Sequence, residues 1–271
     1  MGNVKLIAMD LDGTLITREG VASEANIRAL QAASESGVVI ATCSGRYPEN
    51  ASLVFLDHGL TGPIVGVNGA HAIDRPMGDV LFMHPMDMEA AKKAHERLTA
   101  FHVDYIIFAP KLVATSRSDM RHHSELNDGA RITSLGHVRY LHGEKGVEEA
   151  LESGILKYYI FDNGHLPEIK RALSDIEQLD ITRSNAFNIE LMPKGINKGT
   201  GITELARWLQ IPLSDVMVLG DEENDLPMLT LAGYGVAMGN APDHVKQQAR
   251  YVTAPFEEDG IARAIERFVL D

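Results

Sequence analysis

Short apolar runs alternate with segments of helical periodicity at both ends of the chain, and this alternation constrains the fold more than any other feature. The apolar run Val4 to Met9 is followed by a helical pattern from Glu24 to Ser36 and by a second apolar run, Val38 to Ala41. The runs Val216 to Leu219 and Tyr234 to Ala237 alternate with helical patterns in the same way. Alternating strands and helices are typical of a parallel sheet covered on both faces. The two ends are therefore predicted to build one α/β domain.

The middle of the chain has a different order of strand and helix patterns. Strand patterns such as Tyr105 to Phe108 and Tyr158 to Phe161 mix there with helical patterns near Met88 to Ala100 and Glu168 to Ile176. Such a mixture indicates a separate α+β sheet. We therefore predict a Rossmann-like, doubly wound parallel sheet core over residues 1–83 and 189–271, interrupted by an inserted α+β cap domain over residues 84–188.

Composition narrows the class of partner. The formal net charge of −13, from 25 Lys and Arg against 38 Asp and Glu, gives no basic surface for a nucleic acid or an anionic membrane. A small molecule is the expected partner. The single cysteine, Cys43, excludes an internal disulfide framework and is typical of a reducing compartment. With no signal-peptide pattern and no apolar stretch of transmembrane length, we expect a cytoplasmic protein.

Two aspartates follow the first apolar run directly. In the segment LIAMDLDGTLI, Asp10 and Asp12 stand two positions apart before Gly13 and Thr14. In an extended chain such side chains point to the same side, past the carboxyl end of a strand, where open parallel sheets bind ligands. Close like charges repel unless a cation or a proton lies between them. The pair therefore indicates a ligand site, and the alternative is an Asx-type turn with two solvated acids.

A hydroxyl group follows the second apolar run. The segment TCSGRYP places Ser44 directly before Gly45 and Arg46, and Thr42 shares the side of an extended chain with Ser44. Either hydroxyl could therefore face a ligand at the same sheet edge as the aspartates. An ordinary strand-to-helix turn is the alternative for this segment.

A lysine and a second acidic cluster occur in the C-terminal half. Lys198 opens a helical pattern behind Asn197, its predicted cap. A cation is disfavoured at this positive end of the helix dipole, so we expect an anionic group beside it; the alternative is a surface lysine. Asp221 follows a later apolar run, and Asn224 and Asp225 enter the next helical pattern. A helix cap explains either acid singly but not the set.

In this order the segments DLDGTL, SGR, NKG and GDEEND resemble the four motifs of the haloacid dehalogenase-like (HAD) phosphatase superfamily. The resemblance implies that Asp10 attacks phosphorus to form an aspartyl-phosphate and that Asp12 donates a proton to the leaving alkoxide, then acts as base toward water. It also implies that Ser44 holds a phosphate oxygen and that Lys198 stabilises both the nucleophile and the phosphoryl group. Gly45 is expected to contribute to the same phosphate site.

The resemblance also implies a Mg²⁺ site. In the family the ion is bound by the side chains at the Asp10 and Asp221 positions and by the backbone carbonyl at the Asp12 position. Mg²⁺ prefers oxygen ligands and leaves room for a substrate phosphate. Asn224 is expected to orient the phosphate, and Asp225 to support Lys198 or a metal-bound water from behind.

The position of the insertion, between the second and third motifs, resembles the Cof-like sugar-phosphatase branch. Further similarities are VNGA at Val67 to Ala70, GVAMGNA at Gly235 to Ala241 and FNIELMPKGINKG at Phe187 to Gly199. The branch implies a small phosphorylated metabolite as substrate, with Asn68 close to it. The alternative for Asn68 is a plain Asn-Gly hairpin turn. Arg46 is expected either to guard the phosphate entrance or to cap a surface helix.

Two other functions are compatible with the motifs. A phosphomutase of the same superfamily would pass the phosphate to a sugar instead of to water. A catalytically silent regulator would bind a phosphorylated ligand without turnover, although the presence of all four motif side chains argues against it.

Overall fold

A computed structural model describes residues 3–17, 20–117, 129–134, 136–161, 164–183 and 187–270. The chain divides into two compact units. The first unit comprises Met1–Leu81 and Asn197–Asp271, and the second comprises Phe82–Ile196. The first unit is therefore discontinuous in sequence, with the second inserted into it.

The first unit is built on a mainly parallel sheet. Its strands lie in the order β14-β13-β12-β1-β2-β3-β4-β5, and all paired neighbours from β14 to β3 are parallel. The strands are β1 (Leu6–Met9), β2 (Val39–Cys43), β3 (Ile64–Gly66), β4 (His71–Ile73), β5 (Val80–Met83), β12 (Val216–Gly220), β13 (Tyr234–Ala237) and β14 (Tyr251–Val252).

Helices cover both faces of this sheet. Helices α1 and α10 pack against each other, α7 contacts β2, β3 and β4, and α8 contacts β12 and β13. Apolar side chains at alternate strand positions, such as Ile7 and Met9, belong to one core with the helix residues Leu30 and Ile261. The helices are α1 (Glu24–Glu35), α2 (Pro48–Asp57), α7 (Lys198–Trp208), α8 (Leu226–Leu231), α9 (Asp243–Lys246) and α10 (Gly260–Ile265).

The second unit has a six-stranded sheet in the order β10-β11-β9-β6-β7-β8. All neighbours pair antiparallel except β7 and β8. Helix residues such as Ala94, Val147 and Ile169 share one core with alternate strand residues. The elements are α3 (Met88–Ala100), β6 (Tyr105–Ala109), β7 (Leu112–Thr115), α4 (Gly129–Ser134), β8 (Arg139–His142), α5 (Gly143–Ser153), β9 (Lys157–Phe161), α6 (Leu166–Leu173), β10 (Leu179–Thr182) and β11 (Asn188–Pro193).

The fold class is confirmed, with two corrections. The core sheet is not parallel throughout, because β4 turns back against β3 as an antiparallel hairpin. The predicted boundary at 188/189 differs from the boundary between Ile196 and Asn197 in the structure. The reason is that β11 (Asn188–Pro193) pairs with β9 and β10, which holds this strand in the second unit.

Among the helices that the structure describes, none combines the length and the apolar character needed to cross a lipid bilayer.

Candidate active site

The central position of β1 brings the predicted site residues together. Strand β1 lies between β12 and β2, and all three run parallel. Asp10, Ser44 and Asp221 each follow one of these strands by a single residue, so they share the carboxyl edge of the sheet. All three are at most 7% exposed. The topology thus gathers the first, second and fourth motifs at one place.

Lys198 enters the same place from the start of α7. Asn197 caps this helix: its side chain accepts a hydrogen bond from Thr200 N, and the Thr200 hydroxyl accepts one from Asn197 N. The Lys198 ammonium lies 2.9 Å from Asp10 Oδ1 and 2.6 Å from Asp225 Oδ1. Burial alone would lower the pKa of Lys198, but the two carboxylates outweigh it and raise this pKa. They are the anionic groups that the helix-dipole argument required.

Asp225 acts as the anchor of this lysine. Its side chain is fully buried. Asp225 Oδ2 accepts hydrogen bonds from Asp221 N and Glu222 N, at 2.8 and 2.9 Å, while Oδ1 accepts from Lys198. Gly220 allows this packing, because a Cβ there would lie 2.5 Å from Asp225 Cγ. Donors on both oxygens therefore hold the Asp225 carboxylate against the Lys198 ammonium.

The carboxylate of Asp221 is oriented by two side chains, one from the loop after β1 and one from the segment after β13. The Thr14 hydroxyl donates to Asp221 Oδ1 at 3.0 Å, and Asn240 Nδ2 donates to Oδ2 at 3.1 Å. Gly13 has φ +79°, and a Cβ at this residue would lie 2.4 Å from Asp221 Oδ2. Both the backbone conformation and the close approach therefore require glycine. The Thr14 hydroxyl thus connects the first motif to the fourth.

The acidic cluster fits a divalent metal ion. Within the described part of the chain, Asp10, Asp221 and Asp225 form the one group of three or more potential ligands, with ligand atoms within 4.8 Å of one another. Burial and the repulsion of neighbouring carboxylates, only partly offset by Lys198, raise the pKa of Asp10 to about 7 and that of Asp221 to about 8. A hard cation would relieve this repulsion. Asp225 Oδ1 is paired with the Lys198 ammonium and its Oδ2 with two backbone N–H groups, whereas each oxygen of Asp221 has a single uncharged donor. Asp10 and Asp221 are therefore the side chains better suited to hold the metal.

Asp12 faces a different partner. Arg46 Nε donates to Asp12 Oδ2 at 2.8 Å, and Arg46 Nη2 donates to Oδ1 at 2.6 Å. The Asp12 side chain is 54% exposed. Arg46 thus makes a bidentate pair with the Asp12 carboxyl group, and the N-cap of α2 is Tyr47.

The two hydroxyl groups of the second motif have different roles. Thr42 Oγ1 donates to Met9 O at 2.9 Å, which ties β2 to the end of β1. Since its one hydrogen is used there, Thr42 has no donor left for a phosphate oxygen. Ser44 Oγ accepts from Arg46 N at 3.2 Å, so its hydrogen remains to be donated elsewhere. Of the two hydroxyls, Ser44 is therefore the one with a hydrogen to offer to a ligand, and Gly45 lies in the same turn.

Asn68 and Asn224 meet across the site. Asn68 lies in the turn between β3 and β4, at φ 51°, and neighbouring Val67 has φ 50°. A left-handed conformation is costly for a β-branched residue. Asn68 N donates to Ser44 O, and Asn224 Nδ2 contacts Asn68 Oδ1 at 3.4 Å. The segment is thus a hairpin turn, and it also places Asn68 beside the second and fourth motifs.

His71 follows this turn and gives the site region a pH-dependent stability. It is 2% exposed and packs edge-on against Tyr47 at 5.4 Å between ring centroids. Neither ring nitrogen has a hydrogen-bond partner among the described residues. Burial therefore lowers the pKa of His71 from 6.5 to about 4. The folded state binds fewer protons than the unfolded state between these values, so stability is full above pH 6.5 and falls as the pH decreases toward about 4.

Replacing His71 by phenylalanine should remove this pH dependence, because phenylalanine keeps the ring contact but cannot be protonated. The free energy of unfolding of the wild type should fall by about 2 kcal/mol more than that of His71→Phe between about pH 7 and about pH 5. Urea denaturation at both pH values measures the difference. Parallel curves for the two proteins would contradict the assignment.

The sequence motifs left two contributors unassigned. Asn240 binds Asp221, and the Thr14 hydroxyl binds it from the other side. Thr14 stands in the first motif and Asn240 in the segment GVAMGNA, so both carried a sequence signal. The sequence did not show that both side chains bind Asp221.

The fold and the site together define an α/β enzyme with a carboxylate and lysine centre at the edge of a parallel sheet. A family model described as haloacid dehalogenase-like hydrolase matches residues 7–265, and the chain belongs to this family. The resemblance drawn from the four motifs is thereby confirmed.

Similar proteins extend over the whole chain. A 5-amino-6-(5-phospho-D-ribitylamino)uracil phosphatase of Bacillus subtilis is 31% identical over 97% of each chain. A haloacid dehalogenase-like hydrolase from Bacteroides thetaiotaomicron aligns with a TM-score of 0.82 at 27% identity, covering 97% of this chain and 99% of that one. A sugar phosphatase of HAD subclass IIB aligns with a TM-score of 0.81 at 28% identity, covering 99% of this chain and 100% of that one. The chain is accordingly a phosphatase of the HAD family, in the predicted Cof-like branch.

Proposed function

We propose that this phosphatase uses Mg²⁺ to hydrolyse small-molecule phosphate monoesters, in particular sugar phosphates, through an aspartyl-phosphate on Asp10. The observation that carries the proposal is the buried triangle of Asp10, Lys198 and Asp225, with the Asp221 carboxylate beside it. An aspartate that only solvates a surface loop would not require a buried lysine as its counter-ion. A carboxylate held in this way suits nucleophilic attack on phosphorus, which requires alignment and charge neutralisation.

The first chemical step uses Asp10 and Asp12. A carboxylate oxygen of Asp10 bonds to phosphorus as the bond to the ester oxygen breaks, and Asp12 donates a proton to the departing alkoxide. Water then attacks the aspartyl-phosphate, with Asp12 as the base, and releases inorganic phosphate. The second step frees the Asp10 carboxylate and returns a proton from water to Asp12, so the two steps together regenerate the enzyme.

The remaining residues are proposed to bind the phosphoryl group and to stabilise its negative charge. Lys198 supplies a fixed positive charge, and the Ser44 hydroxyl has a hydrogen to donate to a phosphate oxygen. When bound, Mg²⁺ supplies further neutralisation of the phosphate oxygens. We expect Asn224, whose Nδ2 contacts Asn68 Oδ1, to orient the phosphate. The bidentate pair of Arg46 with Asp12 has to open before Asp12 can transfer a proton, and a substrate phosphate offers Arg46 an alternative bidentate acceptor.

A small phosphorylated metabolite is the proposed substrate, and the cytoplasm the proposed location. The net charge of −13 disfavours nucleic acid as a partner. Cys43 is the single cysteine and is free, and a chain with no internal disulfide is typical of a reducing compartment. The relative that acts on 5-amino-6-(5-phospho-D-ribitylamino)uracil suggests including a ribityl phosphate among the candidates.

Phosphate release from a panel of monoesters with and without Mg²⁺ tests the function. The panel should contain hexose and pentose phosphates, erythrose phosphate, nucleotides, flavin mononucleotide, pyridoxal phosphate and the ribitylaminouracil phosphate. We expect turnover that EDTA abolishes and Mg²⁺ restores. Asp221→Asn should lower turnover by more than about a hundredfold, because even residues that only support metal ligands cost about ten- to a hundredfold when replaced.

Three outcomes would count against the proposal. Full activity in EDTA would show that the reaction does not require a metal ion. An isomerised sugar phosphate without free phosphate would indicate a phosphomutase. Binding of phosphorylated ligands with no turnover of any compound would indicate a silent regulator.

A further inference from the structure

We propose that Asn240 is a positioning residue that aims the Asp221 carboxylate at the divalent metal. This inference rests on the proposed function, because it requires a metal at Asp10 and Asp221. Asn240 belongs to the segment GVAMGNA, between β13 and α9, to which the motifs assign no role.

The amide of Asn240 bridges three separate segments of the first unit. Nδ2 donates to Gly13 O at 2.9 Å and to Asp221 Oδ2 at 3.1 Å. Oδ1 accepts from Phe256 N at 3.1 Å. Both amide hydrogens are therefore used, one on the loop after β1 and one on the predicted metal ligand.

The contact with Phe256 fixes which way the amide faces. A backbone N–H can only donate, so the group that faces it must be the carbonyl oxygen of Asn240. The NH₂ group is consequently directed at Gly13 and Asp221. A flipped amide would place donor against donor at Phe256 and acceptor against acceptor at Asp221.

The backbone that carries Asn240 is also held in place. Gly239 N donates to Ala254 O, Ala241 N donates to Met238 O, and the Lys246 ammonium donates to Gly239 O. A Cβ on Gly239 would lie 2.5 Å from Pro255 N, so this turn is packed closely against the segment before Phe256. The turn is thus a rigid support for the amide.

Together, Thr14 and Asn240 leave the Asp221 carboxylate little freedom to rotate. Thr14 binds Oδ1 and Asn240 binds Oδ2, so each oxygen has one fixed donor and keeps lone-pair capacity for a cation. Residues that orient metal ligands in this way strengthen metal binding. Without Asn240, Asp221 would turn away from Asp10 to lower the repulsion between two buried carboxylates.

Calorimetric titration of the substrate-free protein with MgCl₂ tests the proposal. The Kd for Mg²⁺ should be about ten- to a hundredfold higher for Asn240→Ala than for the wild type. The Mg²⁺ concentration that half-activates turnover should rise in parallel, while kcat at saturating Mg²⁺ and the KM for substrate change little. If the alanine variant does not fold, the same titration is carried out with Asn240→Ser.

Asn26→Ala is the matched control. Asn26 is a buried asparagine of the same unit whose Oδ1 accepts from Ala262 N at 2.9 Å, which joins α1 to α10. Its loss should lower the melting temperature and leave the Kd for Mg²⁺ unchanged. A folded Asn240 variant with wild-type Mg²⁺ affinity would overturn the role of Asn240 alone. A wild-type protein that binds no Mg²⁺ would overturn the proposed metal centre and this inference together.

Discussion

Asp10→Asn should reduce turnover of every phosphate monoester by about 10⁴-fold or more while the protein stays folded. The amide has the shape of the carboxylate but cannot act as the nucleophile, and losses of this order are typical when a nucleophile is removed. Initial rates of phosphate release measure the effect. Thermal unfolding should show a folded variant, because the substitution removes one of the mutually repelling carboxylates around Lys198 and leaves the strand unchanged.

The matched control is Asp215→Asn. Asp215 stands just before β12 and pairs with Lys5 at 2.9 Å, so it lies at the opposite end of the same strands. Its replacement should leave turnover unchanged. In the wild type, borohydride added during turnover should convert an aspartyl-phosphate at position 10 into homoserine, which peptide mass spectrometry detects. Wild-type turnover in Asp10→Asn would disprove the nucleophile assignment.

Lys198→Met should destabilise the metal-free protein by about 3–5 kcal/mol. The ammonium is 1% exposed and pairs with Asp10 and Asp225, and removal of one partner leaves buried carboxylates without a counter-charge. Chemical denaturation measures the loss. Added Mg²⁺ should recover part of it, because a cation beside Asp10 and Asp221 again neutralises the cluster. Turnover should remain strongly reduced even with Mg²⁺, since the metal cannot replace the lysine on the phosphoryl group.

Lys157→Met separates this effect from the general cost of removing a buried lysine. Lys157 lies in the second unit, is 1% exposed, and pairs with Glu190 at 3.2 Å. Its loss should also destabilise the protein, but Mg²⁺ should recover none of that stability. If Mg²⁺ rescued both variants equally, or neither, the stabilising role assigned to the acidic cluster around Lys198 would be wrong.

Strands of the core were predictable because they are buried on both faces. The apolar runs at Val38 to Ala41 and Val216 to Leu219 identify β2 and β12 to within two residues at each end. The helical pattern Glu24 to Ser36 identifies α1, since its apolar positions repeat at helical spacing and Ser23 caps it. Such segments carry a local signal strong enough to specify the element.

Other elements depended on tertiary contacts. The predicted helix from Asn224 begins instead as a 3₁₀ turn, Glu223–Asp225, because the Asp225 side chain folds back onto Asp221 N and Glu222 N. The pattern Glu168 to Ile176 is a helix at Leu166–Leu173, two residues earlier than predicted at its start. Strand β11 reads as part of a core motif in sequence, yet its partners lie in the inserted sheet, and no local pattern specifies which sheet a strand joins.

The candidate site was predictable to the level of which residues converge. Asp10, Asp221 and Lys198 follow from strand ends and a helix start, which topology brings together. The individual hydrogen-bond partners of these residues were not predictable, because they depend on distances between segments that are remote in sequence. Arg46 binds the Asp12 carboxylate, and Asn240 reaches Gly13, and neither pairing has a signature in spacing.

The division of the first unit into two segments bears on how the protein is made. Thr14 and Asp221, which share a hydrogen bond, are 207 positions apart. All six strands of the second unit's sheet come from one continuous stretch, so this unit is synthesised before the last residue of the acidic cluster, Asp225. During that interval strand β1, in the middle of the core sheet, lacks its partner strand β12. Nascent chains therefore pass through a stage in which an apolar strand is exposed and the catalytic centre does not yet exist.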